Sequence, residues 1–275
     1  MAVLADLHTH STASDGQYTP TELVGLAKAR GLEVLALTDH DTAEGAAEAI
    51  QAGIAQDLRV VPGIELGAKE HRSLHILGYG FTMVPSPLTE LCKKLKAGRD
   101  ERKYRIIDFL REKGVYISLD EVEEVAGGEI IARPHFAQVL VRQGYAATNR
   151  EAFDRYLDTE EYQRIERFKA DMETCVAAIK SAGGAVSLAH PYQLRASEEQ
   201  VEALVRRLKE YGLDAIECFY PRHTLAQTEF YLKLAKRYGL HVSGGSDFHG
   251  ERVKPDIFLA ALELDLQWLG IPFER

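Results

Sequence analysis

The sequence predicts an α/β fold, with a parallel sheet or barrel interrupted by an all-helical insertion. In the first and last thirds of the 275-residue chain, short apolar runs alternate with helical patterns. That alternation is typical of a parallel sheet or barrel. Residues 86–167 differ, because they hold helical patterns and little strand pattern. We therefore expect a barrel domain at 1–85 and 168–275, with 86–167 inserted as a helical lid or substrate subdomain.

The elements of the first third follow from its apolar periodicity. Apolar runs predict strands at 3–7, 34–38, 59–66 and 73–80. Amphipathic stretches predict helices at 19–31 and 43–56. The first helix has a clear start, because Thr19 and Glu22 match a capping box around Pro20.

The rest of the chain gives a helical middle and then a second strand–helix alternation. The insertion is expected to hold helices at 93–114, 118–127, 133–145 and 149–157. The last third is expected to hold strands at 185–189, 214–219 and 241–246, and helices at 171–183, 197–211 and 224–239. Ser197 and Gln200 match a second capping box.

The composition excludes several classes of protein. The net charge of −9 makes the chain a poor binder of long nucleic acid, because the phosphate backbone would repel it. No apolar run reaches the ~18 residues of a membrane span, and the N-terminus lacks the pattern of a signal peptide. The three cysteines, an odd number without CxxC spacing, argue against a disulfide framework and favour a cytoplasmic location.

Histidines and acids are concentrated at the ends of the predicted strands. Six of the ten histidines lie within or just after an apolar run: His8, His10, His40, His75, His190 and His249. In parallel β/α folds the carboxyl ends of strands form the active-site mouth. Residues two apart face the same side of a strand, so His8 and His10 can bind one ion together. A single histidine at a strand end is usually structural. Random placement, however, would scatter the six histidines onto helix faces and loops and would not leave all of them at strand ends.

Imidazoles and carboxylates together form the ligand set of Zn²⁺, Mn²⁺ and Fe²⁺. The residues in question lie in the ordered motifs DLHTHS, SDG, LTDHDT, GIEL, LHILGYG, AHPY and GSDFHG. With these motifs the chain resembles the PHP (polymerase and histidinol phosphatase) family of metal-dependent phosphoesterases. The resemblance implies a distorted (β/α)₇ barrel with two or three metal ions in its mouth. The ARPHF segment at 132–136 resembles a subgroup with a helical insertion, whose members act on nucleoside 3′,5′-bisphosphates, short RNA 5′ ends and cyclic sugar phosphates.

The resemblance also implies three sets of metal ligands. The first ion would take His8, His10, Glu65 and Asp247. The second would share Glu65 and add His75 and His190, and the third would take Asp15, His40 and His249. Asp15 stands where other members often have histidine, and a carboxylate favours a harder cation. Mn²⁺ is therefore the first expectation, ahead of Fe²⁺ and Zn²⁺.

The expected activity is hydrolysis of small phosphorylated compounds by a metal-bridging hydroxide. Four basic residues outside the ligand sets are expected to bind the phosphate: Arg133, His135, Arg222 and His223. Arg133 would clamp the phosphate, and His135 or His223 would protonate the leaving alkoxide. The alternative for each is a structural role, as a helix cap or a solvated turn residue.

Competing functions share much of this pattern. A cyclic phosphodiesterase or a 5′–3′ exonuclease on short RNA would use every one of the same ligands. An amidohydrolase would not need the basic residues of ARPHF and FYPRHT. A binding module that had lost its activity would have lost ligands, whereas all nine expected positions carry one. The sequence leaves the oligomeric state open.

Overall fold

The computed structural model describes residues 2–126, 131 and 133–270. It divides into two compact units, which we call the barrel unit and the helical unit. The barrel unit comprises Met1–Cys92 and Ala170–Arg275, and the helical unit comprises Lys93–Lys169.

The barrel unit is built on one sheet of eight strands in the order β7-β6-β5-β4-β3-β2-β1-β8. The strands are β1 Ala2–Thr9, β2 Val34–Leu37, β3 Arg59–Gly67, β4 His75–Tyr79, β5 Ala185–Leu188, β6 Ala215–Phe219, β7 His241–Gly244 and β8 Leu262–Asp265. A parallel bridge between Thr9 and Phe248 joins the end of β1 to the segment after β7, so the sheet curls into a nearly closed barrel. The predicted distorted α/β barrel of seven sequential strands is confirmed.

Two features of the sheet depart from the expected parallel pattern. Strand β4 runs antiparallel to both β3 and β5. The connection at residues 68–74 is too short for the crossover that a parallel pair needs, so β4 must fold back on β3. Strand β8, which the apolar pattern did not predict, pairs antiparallel with β1 at the edge of the sheet.

Ten α-helices lie within residues 2–126, 131 and 133–270. In chain order they are α1 Pro20–Ala29, α2 Ala46–Gln56, α3 Pro87–Glu112, α4 Leu119–Ala126, α5 Arg133–Arg142, α6 Asn149–Ala152, α7 Glu160–Gln163, α8 Met172–Ser181, α9 Glu198–Tyr211 and α10 Leu225–Tyr238. Both predicted capping boxes are confirmed, at α1 and α9, and α10 carries a third between Thr224 and Gln227. Short turns of other helix types cover Phe153–Leu157, Pro191–Leu194 and Gln267–Leu269.

Strand β1 shows how the barrel separates its core from its polar side. Ala5 and Leu7 are fully buried in an apolar cluster with residues of β2, β3 and β4. Asp6 and His8 alternate with them and are also fully buried, among polar groups. Because successive side chains of a strand point to opposite faces, one face of β1 stabilises the barrel and the other is free to carry chemistry.

The helical unit has an apolar core of its own, formed by side chains such as Leu110, Val122, Phe136, Leu140 and Leu157. The four helices predicted for the insertion are present, although the last continues into the π-helical turn. Gly127, the predicted end of one helix, lies outside the described residues. Across the part of the chain that the structure describes, none of the helices combines the length and the apolarity needed to cross a membrane.

Candidate metal centre

The structure brings all nine predicted metal ligands together at one end of the barrel unit. We call this set the metal centre. Most of its members end a strand or follow one directly, as His10 follows β1 and His40 follows β2. His75 begins β4 instead, and it reaches the same end because β4 runs antiparallel. The nine residues are His8, His10, Asp15, His40, Glu65, His75, His190, Asp247 and His249.

The first expected ligand set forms a tight, fully buried group. The Oε2 atom of Glu65 lies 3.3 Å from Nε2 of both His8 and His10. The Oδ1 atom of Asp247 lies 3.3 Å from Nε2 of His10 and 3.7 Å from Nε2 of His8. One ligand atom from each residue lies within 4.8 Å of the others, which fits a single ion.

Glu65 connects this group to the second set. Its Oε1 atom lies 2.7 Å from Nδ1 of His75 and 2.9 Å from Nε2 of His190. Its Oε2 atom lies 2.9 Å from Nδ1 of His40, which was expected only in the third set. Glu65 would therefore offer one carboxylate oxygen to each of the two ligand sets.

Asp15 is the carboxylate of the third group. Its oxygens lie 3.4 Å from Nε2 of His249, 3.8 Å from Nε2 of His40 and 3.9 Å from Nδ1 of His10. The rings of His10 and His249 stack with their centroids 3.9 Å apart. His10 and His40 thus each adjoin two groups, because the strand ends lie closer together than three separate ligand sets would require.

Buried polar atoms that lack a hydrogen-bond partner show whether the metal centre is suited to bind cations. Among the described residues, such atoms include His8 Nε2, His10 Nε2, Asp15 Oδ1, Glu65 Oε2 and His190 Nδ1. A buried polar atom that lacks a hydrogen bond costs about 1–3 kcal/mol. The Nε2 atoms of His8 and His10 face Oε2 of Glu65 at 3.3 Å, and imidazole nitrogens and carboxylate oxygens are atoms that divalent ions bind. The residues present therefore fit a metal cluster.

The electrostatics of the metal centre favour the protonation states of metal ligands. Burial alone would raise the pKa of Glu65, but the imidazoles of His40, His75 and His8 hold this pKa well below its ordinary value. Burial lowers the pKa of His10 to about 4. An ionised carboxylate and a neutral imidazole are the forms that bind metal.

His8 is the exception among these imidazoles. Burial alone would lower its pKa, but the carboxylates of Glu217, Glu65 and Asp247 hold the pKa well above its ordinary value. A proton therefore competes with a metal ion for Nε2 of His8.

A second layer of carboxylates orients the ligands, and the sequence patterns did not predict it. Glu217 accepts a hydrogen bond from Nδ1 of His8 at 3.0 Å and another from the backbone N–H of His190 at 2.5 Å. Asp6 accepts from the backbone N–H of His8 and from both the N–H and the hydroxyl of Ser246. Such partners fix the tautomer and direction of a ligand. An acid inside an otherwise apolar strand, as in LADL and AIECF, is the signal that could have revealed both.

The backbone of the metal centre holds unusual conformations. Of the five non-glycine residues with positive φ among those described, two belong to the metal centre, His190 at 21° and Asp247 at 58°, and a third, Asp41 at 58°, directly follows His40. Each such conformation costs of order 1–3 kcal/mol and is typical of functional sites. Gly245 is required for a different reason, because a Cβ at this position would lie 2.4 Å from Cβ of His8.

A cleft with a volume of about 290 Å³ opens at the same end of the barrel unit. We call it the basic cleft. It is lined by four cationic side chains, Arg72, Arg195, Arg222 and Lys254, together with Ser73, Tyr192, Gln193 and Tyr220. Arg222 was predicted as a phosphate-binding residue. The other three cations were missed, because they lie in loops without a periodic pattern.

Two residues of the basic cleft contact the metal centre directly. The Tyr220 hydroxyl donates a hydrogen bond to Oδ2 of Asp247 at 2.9 Å, and Nζ of Lys254 donates to the same oxygen at 2.7 Å. Burial raises the pKa of Tyr220, so its phenol keeps the proton that it donates. The basic cleft and the metal centre are therefore one continuous site.

His223 packs against Tyr220, with ring centroids 5.2 Å apart. Its Nδ1 lies 3.0 Å from the carbonyl oxygen of Cys218 and must donate to it, since a carbonyl only accepts. Burial lowers the pKa of His223, so the ring is neutral and Nε2 is a hydrogen-bond acceptor. The expected role of His223 in protonating an alkoxide would require a second proton on the ring.

Arg133 and His135 lie in the first turn of α5 in the helical unit. Arg133 pairs with Asp158 at 2.7 Å, and its guanidinium lies 5.8 Å from the centre of the Phe153 ring. His135 is half-buried, and Ala132 of the same segment lies outside the described residues. The substrate roles expected for these two residues stay predictions.

Three relatives are similar to the chain over most of their length. It is 37% identical to a 5′-3′ exoribonuclease from Haemophilus influenzae, over 89% of both chains. It is 34% identical to a 3′,5′-nucleoside bisphosphate phosphatase from Chromobacterium violaceum, over 89% of this chain and 86% of that one. It is 33% identical to a phosphoribosyl 1,2-cyclic phosphate 1,2-diphosphodiesterase from Eggerthella lenta, over 90% of this chain and 95% of that one.

Solved structures show the same fold. An amidohydrolase from Chromobacterium violaceum, solved with sulfate and without metal, matches 95% of this chain with 92% of its own, at 32% identity and a TM-score of 0.80. A protein described as a metal-dependent phosphoesterase from Bifidobacterium adolescentis matches 96% with 93% of its own, at 32% identity and a TM-score of 0.78.

The barrel, its cluster of imidazoles and carboxylates, and these relatives define the class of protein as a metal-dependent phosphoesterase. The sequence model of the PHP domain family matches residues 6–165 of the chain. The chain therefore belongs to the PHP family.

Proposed function

We propose that the protein removes phosphate from a small substrate that carries a second anionic group, with a nucleoside bisphosphate as the leading candidate. The observation that carries this proposal is the basic cleft beside the metal centre. Four cationic side chains converge there in a chain whose net charge is −9. Metal ions would bind one phosphate group of the substrate, and the cations of the basic cleft would bind a second anionic group.

The exposure of the three arginines and their lack of carboxylate partners in the described part of the chain support the proposal. Among the described residues, no carboxylate pairs with Arg72, Arg195 or Arg222, and all three side chains are exposed to solvent. A planar guanidinium binds a phosphate through two parallel hydrogen bonds, which gives both affinity and orientation. Lys254 is already paired with Asp247, but its ammonium has three donors and can contact an anion as well.

We propose Mn²⁺ as the resident metal. The carboxylate of Asp15 in the third group favours a harder cation than an all-histidine site would, with Fe²⁺ and Zn²⁺ as the alternatives. Bound divalent ions would lower the pKa of water towards neutrality and offset the charge of the phosphoryl oxygens. His8, His10, Glu65 and Asp247 would hold the first ion, and Glu65 would extend to a second with His75 and His190.

The residues of the chain would orient the substrate around this centre. Arg195 and Arg222 would hold the second anion, and the rings of Tyr192 and Tyr220 would line the space between the two anions. His223 has a buried Nε2 acceptor without a partner among the described residues, which suits a hydroxyl of a ribose or another sugar. Arg133 and His135 remain candidates for a contribution from the helical unit.

Hydrolysis of short RNA from its 5′ end is the second candidate, supported by the similarity to an exoribonuclease. A cyclic sugar phosphate is the third, supported by the similarity to a cyclic phosphate diphosphodiesterase. The acidic net charge argues against long nucleic acid as a partner. The composition, with three dispersed cysteines, supports a cytoplasmic location.

The test is a substrate panel on the Mn²⁺-loaded enzyme. The panel comprises a nucleoside 3′,5′-bisphosphate, the matched 3′- and 5′-monophosphates, a five-carbon cyclic phosphate, a 5′-phosphorylated short RNA and a carboxamide. We expect kcat/KM for the bisphosphate to exceed that for either monophosphate by about 100-fold, because its second anion would contact both Arg195 and Arg222 and each charge-assisted contact contributes about tenfold. Equal turnover of bisphosphate and monophosphate would contradict the two-anion proposal, and turnover of the carboxamide alone would contradict phosphoesterase activity.

A further inference from the structure

Tyr220 contacts two predicted metal ligands that come from different strands. Its hydroxyl donates to Oδ2 of Asp247 at 2.9 Å. Its ring packs edge-on against the ring of His190, with centroids 5.7 Å apart and planes at 68°. Tyr220 also lines the basic cleft, so it contacts both the metal centre and the basic cleft.

The two oxygens of Asp247 face in different directions. Oδ1 faces Nε2 of His10 at 3.3 Å and Nε2 of His8 at 3.7 Å, which is the side of the first ligand group. Oδ2 instead accepts hydrogen bonds from the Tyr220 hydroxyl and from Nζ of Lys254. Since rotation of the carboxylate would break both of these hydrogen bonds, Oδ1 is held in the position of a single-oxygen ligand.

Tyr220 is itself held in place. Nε2 of Gln193 donates to the Tyr220 hydroxyl at 3.2 Å, which leaves the hydroxyl proton directed to Asp247. The ring lies against those of Tyr192 and His223, with centroids 5.5 Å and 5.2 Å away. Only 8% of the residue is exposed, so it has little freedom to adopt another orientation.

We propose that Tyr220 is a positioning residue, whose hydroxyl fixes Asp247 as a one-oxygen ligand and so sets the affinity of the first metal position. The proposal rests on the proposed metal-dependent function. Groups that orient a ligand typically contribute 10–100-fold to metal affinity. Tyr220→Phe removes the hydroxyl while keeping the ring and the net charge, so its effect reports on the loss of this hydrogen bond to Asp247.

The experiment is calorimetric titration of metal-free protein with Mn²⁺, for the wild type, Tyr220→Phe and Tyr192→Phe. Tyr192 lines the same cleft, and its ring contacts those of Tyr220 and His223, but within the described residues no hydrogen bond joins it to Asp247, so it is the matched control. We expect Tyr220→Phe to weaken one class of Mn²⁺ sites by roughly 10–100-fold and to leave the other sites unchanged. We expect Tyr192→Phe to match the wild type.

The outcomes separate this proposal from the proposed function. If the wild type binds no Mn²⁺, the metal-dependent function fails. If the wild type binds Mn²⁺ and Tyr220→Phe binds it equally tightly, only the positioning role is overturned. A uniform loss at every site, or an equal loss in Tyr192→Phe, would also overturn it, because loosened packing would then explain the result. Thermal unfolding of the metal-free variants confirms that each is folded before titration.

Discussion

The metal centre and the basic cleft adjoin each other but differ in burial and in the kind of element that carries their residues. Six of the nine residues of the metal centre are buried, and the other three, Asp15, His40 and His75, are partly buried. The basic cleft is open, and its arginines extend from loops into solvent. Rigid strand ends hold the groups that must keep their distances within tenths of an ångström, whereas loops supply groups that adapt to a ligand. The difference is consistent with the proposed division of roles, in which the metal centre carries out the reaction and the basic cleft selects the substrate.

Replacing Glu65 should have the largest effect. Glu65→Gln removes the charge that contacts five histidines of the metal centre. We expect kcat to fall roughly 10³-fold, at the upper end for loss of one electrostatic contact to a transition state, together with loss of bound metal. Phosphate release and elemental analysis measure both effects. Glu263→Gln, at an exposed position of β8, is the control, and retained activity in Glu65→Gln would contradict the role of the metal centre.

Replacing the cleft arginines should affect substrate binding and not the chemical step. We expect Arg195→Met and Arg222→Met each to raise KM about tenfold with kcat nearly unchanged, because each removes one contact to the second anion. Steady-state kinetics on a bisphosphate measures this. Arg206→Met on α9 removes the same charge elsewhere and should have no effect. A fall in kcat with KM unchanged would show that the basic cleft takes part in the reaction.

Metal binding should depend on pH through His8. Its pKa lies well above the ordinary value, so near neutral pH the metal-free protein carries a proton that the ion must displace. Mn²⁺ affinity should therefore rise with pH, by about tenfold per unit below that pKa. Titrations in buffers of different ionisation enthalpy should give about one proton released per first-site ion. No release would contradict the protonated state of His8.

The effect of metal removal on the stability of the protein should be smaller than these effects on activity and metal binding. A ligand that binds only the folded state at 100 times its Kd stabilises a protein by about 2.7 kcal/mol. We expect chelation to lower the midpoint of thermal unfolding by several degrees, and Mn²⁺ to restore it. Arg222→Met should show the same shift as the wild type. An unchanged midpoint after chelation would argue that the metal centre is stable without ions.

Much of the barrel could be predicted from the sequence, because buried strands and capped helices leave local signals. The capping boxes at Thr19 and Ser197 are examples. The antiparallel direction of β4 and the existence of β8 were missed. Strand direction depends on loop length and pairing, and β8 is a short edge strand whose pattern, LELD, is half charged.

The metal ligands could be predicted from the sequence, but their sharing between groups and most of the basic cleft could not. The nine expected ligands share a local signal, since most of them end strands, and the fold brings them together. The sharing of His10 and His40 between groups depends on distances across the barrel, which no local pattern contains. Arg72 and Arg195 come from loops and resemble ordinary surface arginines until the fold places them around one cleft.

Anomalous diffraction at the manganese edge, from crystals soaked in Mn²⁺, tests most directly whether these side chains hold a metal cluster. We expect two or three peaks within the metal centre, one of them between Glu65 and the imidazoles of His8 and His10. Another should lie beside Glu65 and His75. An anomalous map without peaks among these nine side chains, from protein that hydrolyses phosphate esters, would contradict the assignment of the metal centre.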